Sequence, residues 1–133
     1  MPAPSSFDYA VVRVVPRVER EEFINVGVIL YCLTKGFLGA RVELDEARLK
    51  ALCPEVDVEL VRGHLESLPR VCKGGRAAGP LGQLSQKERF HWLVAPRSTM
   101  IQTGPVHSGL CEDPAAALEH LLDRMVRPPA PRG

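Results

Sequence analysis

The first third of the chain alternates hydrophobic and polar residues, a period of two that is typical of β-strands. Three segments rich in Val, Ile, Leu and aromatic residues predict strands at residues 8–15, 24–32 and 37–44. Pro16 ends the first strand, because it has no N–H group to donate to a ladder. Residues 34–36 read Thr-Lys-Gly and predict a tight hairpin loop. The pattern therefore predicts a three-stranded β-meander.

The alternation also assigns the strand residues to two faces of the sheet. The apolar face, which is predicted to be the core side, contains Ala10, Val12, Val14, Ile24, Val26, Val28, Leu30, Cys32, Leu38, Ala40, Val42 and Leu44. The other face is either a solvated surface or a shallow binding site. In the second case Arg13, Asn25 and Arg41 project side by side. Gly27 and Gly39 would then leave room for a ligand or partner.

The middle of the chain has the three- and four-residue spacing of amphipathic helices. Asp45 is a suitable N-cap for a short helix that ends at Leu52. A second helix is predicted for residues 57–71, with an apolar stripe of Val58, Val61, Leu65, Leu68 and Cys72. Pro69 interrupts this stripe, so the second helix is predicted to end or kink near Ser67.

Two further helices are predicted from their N-terminal caps. Ser85 and Glu88 have the spacing of a capping box, in which each side chain accepts a hydrogen bond from the backbone amide of the other. Asp113 and Pro114 are an N-cap and a first-turn proline for the last helix. Between these two helices, residues 100–103 contain enough β-formers to predict a short fourth strand.

These elements predict an α+β fold: an antiparallel sheet, built from the N-terminal meander and the short later strand, with helices packed on one face. A chain of 133 residues can bury a sizeable core, and residues 1–133 are predicted to form a single domain. Residues 1–6 and 128–133 are predicted to be disordered tails.

Composition limits the classes of partner. Lys and Arg number 17 and Asp and Glu 16, a near balance that argues against a broad phosphate-binding surface, so nucleic acid is not an expected partner. The N-terminal residues lack the basic and apolar regions of a signal peptide, and no apolar run reaches membrane-spanning length. A cytoplasmic protein without membrane association is therefore expected, and its oligomeric state stays open.

The four cysteines are expected to be reduced thiols, because none are closely paired. His107 and Cys111 have a possible metal-ligand spacing, but a zinc site needs a second close pair of ligands, which the sequence lacks. No metal or other cofactor is therefore predicted.

The polar segment at residues 97–109 is the main candidate for a functional loop, since loops on a rigid scaffold often hold functional side chains. Arg97 is suited to bind an anion or a carboxylate, and Gln102 lies close to it in the sequence. A nucleophilic pair of Ser98 and His107 would need a third residue to orient the imidazole. The candidates for that residue are Asp8, Glu43 and Asp113. The alternative is that these side chains only hydrogen-bond the loop and hold its shape.

Residues 7–16 and 22–30 form one long motif, and residues 90–99 and 102–110 form a second. The first motif resembles the opening of the bacterial domain-of-unknown-function family DUF3037, and the second resembles the C-terminal signature of that family. The similarity covers nearly the whole chain. By position, the family motifs fall on Arg13, Glu22, Asn25, Gly27, Arg97, Ser98, Gln102, His107 and Gly109. The resemblance implies a short stand-alone protein that is often encoded beside a HipA-like kinase, and hence a protein partner of that type.

Two classes of function follow, and the sequence leaves open whether the protein is an enzyme. The first is a non-enzymatic binding or accessory protein, which would use the polar sheet face and its aromatic residues Tyr9, Tyr31 and Phe37. The second is an enzyme that acts on a phosphorylated or nucleotide-like substrate. In that case Arg13, Arg41 and Arg97 would bind the anion, and His107 would transfer the proton.

Overall fold

The sheet is antiparallel at every strand pairing. A computed structural model describes residues 3–129, and within that range the strands are β1 (Ser5–Val14), β2 (Ile24–Cys32), β3 (Phe37–Val42), β4 (Ile101–Thr103) and β5 (His107–Cys111). The strand order is β3-β2-β1-β4, and β5 pairs with β1 beside β4, nearer the start of β1. The α+β class, the N-terminal meander and the short fourth strand are confirmed.

Within the same range the α-helices are α1 (Glu46–Leu52), α2 (Val58–Lys73), α3 (Gln86–Leu93) and α4 (Pro114–Met125). Two 3-10 segments, Val18–Arg20 and Arg76–Gln83, lie in the connections. The side chains of Asp45, Asp57, Ser85 and Asp113 accept hydrogen bonds from backbone amides at the four helix starts. The predicted capping box at the start of α3 is complete. No described helix is long and apolar enough to cross a membrane.

A β-bulge in β2 changes which residues face which side of the sheet. Val12 pairs with Gly27, but the next residue, Arg13, pairs with Asn25, so Val26 is an extra residue on β2. The period-two alternation shifts by one at this point. Val26 belongs to the core beneath α2, whereas later β2 residues belong to the core beneath α4. Those later residues are Val28, Leu30 and Cys32.

Helices therefore cover both faces of the sheet, and the prediction of a single covered face is wrong. α1, α2 and α3 contribute to the larger core, which includes Leu49, Val61, Leu65, Phe90 and Leu93. α4 covers the opposite face with Leu118 and Leu122. The physical reason is that β2 is apolar at consecutive positions: Ile29 and Tyr31 belong to the larger core, and Val28, Leu30 and Cys32 belong to the core beneath α4.

The predicted space at two sheet glycines is filled by the protein itself. A Cβ atom on Gly27 would lie 2.6 Å from the carbonyl oxygen of Arg41. A Cβ atom on Gly39 would lie 2.8 Å from the Phe37 ring and 3.2 Å from Leu118. These glycines permit close packing of β3 and α4, so the predicted ligand space on this face is absent.

α2 continues through Pro69 and ends at Lys73, so the predicted end near Ser67 is wrong, and the predicted alternative, a kink there, stays a prediction. The apolar stripe explains the difference: Val71 and Cys72 are buried beyond the proline, and this burial favours continuation of the helix.

The outer side of β1 has more ordered structure than the sequence predicted. The segment that contains β5 was predicted as a loop, because its glycines and Pro105 favour turns. Ser5 and Ser6 belong to β1, and Ser5 is buried, so this part of the predicted N-terminal tail is ordered. Residues 1–2 and 130–133 of the predicted tails lie outside the described residues.

Candidate functional site

A cavity of about 460 Å³ opens where the end of β1 meets β4 and the connection between β1 and β2. We call it the Arg13 cavity; its lining residues are Arg13, Val15, Val18, Glu21, Phe23, Arg97, Ser98 and Gln102. Three separate parts of the chain thus meet here. Four of the candidate residues from the sequence are among them, two from strands and two from the segment after α3.

Arg13 has the most unusual environment in the Arg13 cavity. It lies beside the bulge, between Gln102 on β4 and Asn25 on β2. Its guanidinium carbon is 4.3 Å from the centroid of the Phe23 ring, a cation–π stack. Its Nε is buried and has no hydrogen-bond partner among residues 3–129. A buried donor without a partner costs about 1–3 kcal/mol, so an acceptor that came within reach of this Nε would remove that cost.

Arg97 lines the same cavity but is already bonded to the protein. Its Nη1 donates to the carbonyl of Leu93 at 3.0 Å, and its Nη2 donates to the carbonyl of Trp92 at 2.6 Å. Its guanidinium carbon lies 4.4 Å from the centroid of the Trp92 ring. Arg97 therefore caps the C-terminus of α3, where a cation also complements the helix dipole. Its positive charge nevertheless remains in the wall of the Arg13 cavity.

The charge balance of the Arg13 cavity is positive. Glu21 is the one carboxylate among the lining residues, against the two guanidinium groups of Arg13 and Arg97. Glu21 is exposed and has left-handed backbone geometry (φ 56°) at the end of the first 3-10 segment. The amide of Gln102 donates to the carbonyl of Thr99 at 2.8 Å, which holds the loop before β4. An anionic group is thus the ligand that this lining favours.

Two candidate residues on the sheet lie outside the Arg13 cavity and hold α4. The Asn25 amide donates to the carbonyl of Met125 at 3.1 Å. Arg41 forms an ion pair with Glu119 on α4. Beside them, the Arg127 guanidinium lowers the pKa of Glu43 through hydrogen bonds. Asn25 and Arg41 therefore contact the helix that covers this sheet face.

His107 also lies outside the Arg13 cavity. It is exposed on β5, opposite Tyr9 in the strand register, with the two ring centroids 5.6 Å apart. Tyr9 and Arg13 are four residues apart on β1, a separation of about 13 Å along a strand.

Ser98 lines the Arg13 cavity, but no histidine is among the lining residues. The proposed orienting residues have other partners: Asp8 accepts from Ser108, Glu43 pairs with Arg127, and Asp113 caps α4.

A second, more apolar pocket of about 270 Å³ lies beside β4. We call it the Trp92 pocket; it is lined by His64, Ser67, Leu68, Trp92, Arg97, Thr99, Met100 and Ile101. Arg97 lines both this pocket and the Arg13 cavity. Ile101 and Gln102 are adjacent on β4 and line different cavities, as expected from the alternation of side chains along a strand. The sequence analysis did not identify this pocket.

The sequence analysis also missed Arg89, a buried arginine on α3. Its Nη1 donates to the carbonyls of Val71 at 2.9 Å and Cys72 at 2.6 Å, and its Nε donates to the carbonyl of Leu84 at 3.1 Å. Burial raises the pKa of the neighbouring Cys72 thiol to about 12. The available signal was the spacing of Arg89 and Leu93, which places both on one helix face.

The comparison with known families agrees with the sequence motifs. Residues 9–126 match the family described as Protein of unknown function (DUF3037), so the chain belongs to that family. No curated protein and no solved structure matches the chain. Among residues 3–129, no group of three or more His, Cys, Asp or Glu side chains is arranged to hold a metal ion.

Proposed function

We propose that this member of a family of unknown function is a non-enzymatic binding protein, which takes an anionic group of its partner into the Arg13 cavity. The observation that carries the proposal is the buried, unpartnered Nε of Arg13, in a side chain stacked on Phe23. The stack fixes the plane of the guanidinium before a ligand arrives. Such preorganisation lowers the entropy that is lost on binding.

The chemistry of the lining supports an anion as the ligand. A guanidinium group forms two parallel hydrogen bonds to a carboxylate or phosphate, and these bonds are stronger than those between neutral groups. Arg97 adds a second positive charge, and Ser98 adds a hydroxyl donor in the same lining. Glu21 is exposed, so water can screen its repulsion of the bound anion.

The lining favours binding over acid–base catalysis. An enzyme acting on a phosphorylated substrate would need a proton-transfer group beside the bound anion. The lining residues include no histidine, cysteine or lysine, the one carboxylate, Glu21, is exposed, and His107 lies on β5. As to the partner, the HipA-like kinase implied by the family resemblance is the first protein to test. Co-expression of the two chains and co-purification, with R13M as the comparison, would measure that pairing.

Titration of the isotope-labelled protein with inorganic phosphate and with acetate tests the anion site, because NMR resolves the Nε–H signal of Arg13. We expect saturable shifts of that signal and of Phe23, and their loss in R13M. R70M is the matched control, since Arg70 is an exposed arginine on α2 outside the Arg13 cavity. Equal shifts in the R13M and wild-type proteins, or no saturable shift in either, would reject the proposed site.

A further inference from the structure

We propose that the anionic group is an aspartate or glutamate side chain of an extended peptide, which adds a strand to the open edge of β4 and places a neighbouring apolar side chain in the Trp92 pocket. This inference rests on the proposed function, because it assumes that the Arg13 cavity binds an anion. It specifies the class of partner: an extended segment in which an acidic residue stands next to an apolar one.

The free edge of β4 supplies the backbone groups for such a strand. Within residues 3–129, β4 is the last strand on its side of the sheet, and its one pairing is with β1. The backbone bonds from Val15 to Met100 and from Gly104 to Val11 fix the pattern of this pairing. In that pattern Gln102 bonds to β1, so the N–H and C=O groups of Ile101 and Thr103 point away from it. The C=O of Ile101 also accepts a hydrogen bond from the Thr99 hydroxyl at 3.0 Å, so its second lone pair is the one that a peptide would use.

Strand alternation then brings two adjacent side chains of the peptide to different cavities. Gln102 lines the Arg13 cavity, and Ile101 lines the Trp92 pocket. In an antiparallel pair, residues that lie opposite each other project to the same side of the sheet. A peptide residue opposite Gln102 therefore reaches the Arg13 cavity. Its neighbour, opposite Ile101, reaches the Trp92 pocket.

The Arg13 cavity is positively charged and the Trp92 pocket is mostly apolar, which matches a peptide with an acidic residue next to an apolar one. The Arg13 cavity has two guanidinium groups against the single carboxylate of Glu21. The Trp92 pocket contains the side chains of Leu68, Met100 and Ile101 beside Trp92, which is 43% exposed. Charge complementarity thus selects an acidic side chain for the first cavity, and apolar burial selects an aliphatic or aromatic one for the second. A small free anion would use only one of them.

The probe is a fluorescein-labelled peptide, Gly-Thr-Ser-Ile-Glu-Ile-Ser-Thr-Gly, and the measurement is fluorescence anisotropy with the full chain. Its Glu has Ile on both sides, so an antiparallel register that places Glu opposite Gln102 also places an Ile opposite Ile101. We expect saturable binding that weakens about tenfold or more when Glu is replaced by Gln, when both Ile are replaced by Ser, or when the protein carries R13M.

N-methylation of the peptide is the decisive control, because it leaves the protein unchanged. Methylating the amide of either Ile removes a bond to the edge of β4 and should abolish binding. Methylating the amide of Glu should have little effect, because that amide points away from β4. Equal effects at Ile and Glu would overturn the strand-addition proposal.

The outcomes also separate this inference from the proposed function. If phosphate and acetate bind in an Arg13-dependent way but the peptide binds no better than acetate, the peptide proposal is overturned and the anion site remains. If neither the anions nor the peptide bind, both proposals are rejected. Peptide binding that survives R13M and the Glu-to-Gln change would overturn the assignment of the acidic side chain to the Arg13 cavity.

Discussion

Arg89 and Arg13 are both held against the body of the protein, but their guanidinium groups have different surroundings. Arg89 is 8% exposed and donates to three backbone carbonyls at 2.6 to 3.1 Å. Arg13 stacks on Phe23 and keeps a buried Nε without an acceptor. The Nε and Nη1 of Arg89 thus donate to carbonyls of the fold, whereas the Nε of Arg13 is a donor that the fold does not use.

This difference distinguishes a structural cation from one that is available for a ligand. Hydrogen bonds to a charged group stabilise a protein by about 1.5–3 kcal/mol each, while an unsatisfied buried donor destabilises it by about 1–3 kcal/mol. The bonded guanidinium of Arg89 therefore contributes to stability, and the buried Nε of Arg13 reduces it. Local destabilisation of this kind is common at functional sites, where a ligand later supplies the missing partner.

The largest expected effect is that of R89M. Methionine keeps much of the apolar volume but removes the donors to the last carbonyls of α2, so these acceptors lose their partners. We expect the free energy of unfolding to fall by about 3–5 kcal/mol, measured by urea denaturation. Phosphate binding at the Arg13 cavity should persist at temperatures where the variant is still folded.

R13M is the matched comparison for R89M. Removing the unpartnered Nε while keeping an apolar contact with Phe23 should change the free energy of unfolding by less than about 1 kcal/mol in either direction. The comparison between the two arginines fails if R13M destabilises the protein as much as R89M does, because Arg13 would then be a structural residue.

R97M should give an intermediate effect, since Arg97 combines both roles. The variant loses two bonds to the C-terminal carbonyls of α3, which are partly exposed, so we expect a loss of about 1–2 kcal/mol in the free energy of unfolding. Anion affinity should also fall, and Trp92 fluorescence should change because the cation–π stack is lost.

R97K is the control for that prediction. Lysine keeps the positive charge beside the Arg13 cavity but lacks the planar fork that bonds both carbonyls. It should restore part of the anion affinity and less of the stability. Full stability with normal Trp92 fluorescence in R97M would mean that the cap on α3 contributes little to the fold.

Local sequence signals predicted most of the fold, and their failures have physical causes. The caps at Asp45, Ser85 and Asp113 depend on a few neighbouring residues, and each was found where predicted. The bulge at Val26 and the continuation of α2 through Pro69 depend on packing between distant segments. Such tertiary effects leave no mark in the local pattern, because an extra strand residue looks like any other apolar residue.

The candidate site was predicted less completely than the fold. The sequence marked Arg13, Arg97, Ser98 and Gln102, and the structure brings these four to the Arg13 cavity. Asn25, Arg41 and His107 lie elsewhere; the first two contact α4, which packs on a sheet face that was predicted to be open. The buried state of the Arg13 Nε requires coordinates, since no sequence pattern reports the absence of a partner.

The smallest expected effect concerns pH and the first turn of α3, which directly precedes Arg89. Hydrogen bonds from the backbone and side chain of Ser85 lower the pKa of Glu88. The folded carboxylate therefore keeps its charge at a pH where the unfolded one takes up a proton. Its contribution to stability is complete above the ordinary glutamate pKa of about 4.3, and it is lost as the pH falls through the lower folded value.

The measurement is the difference in urea midpoint between the wild-type protein and E88Q, from pH 7 to pH 3. This difference isolates the contribution of Glu88, because other carboxylates with a lowered pKa, such as Glu43, are present in both proteins. We expect a constant difference above about pH 5.5 that shrinks as the pH falls. S85A should reduce this pH dependence without abolishing it, because it removes the hydroxyl of the capping box but keeps the backbone amide that donates to the Glu88 carboxylate. A difference that grows on acidification would contradict the lowered pKa.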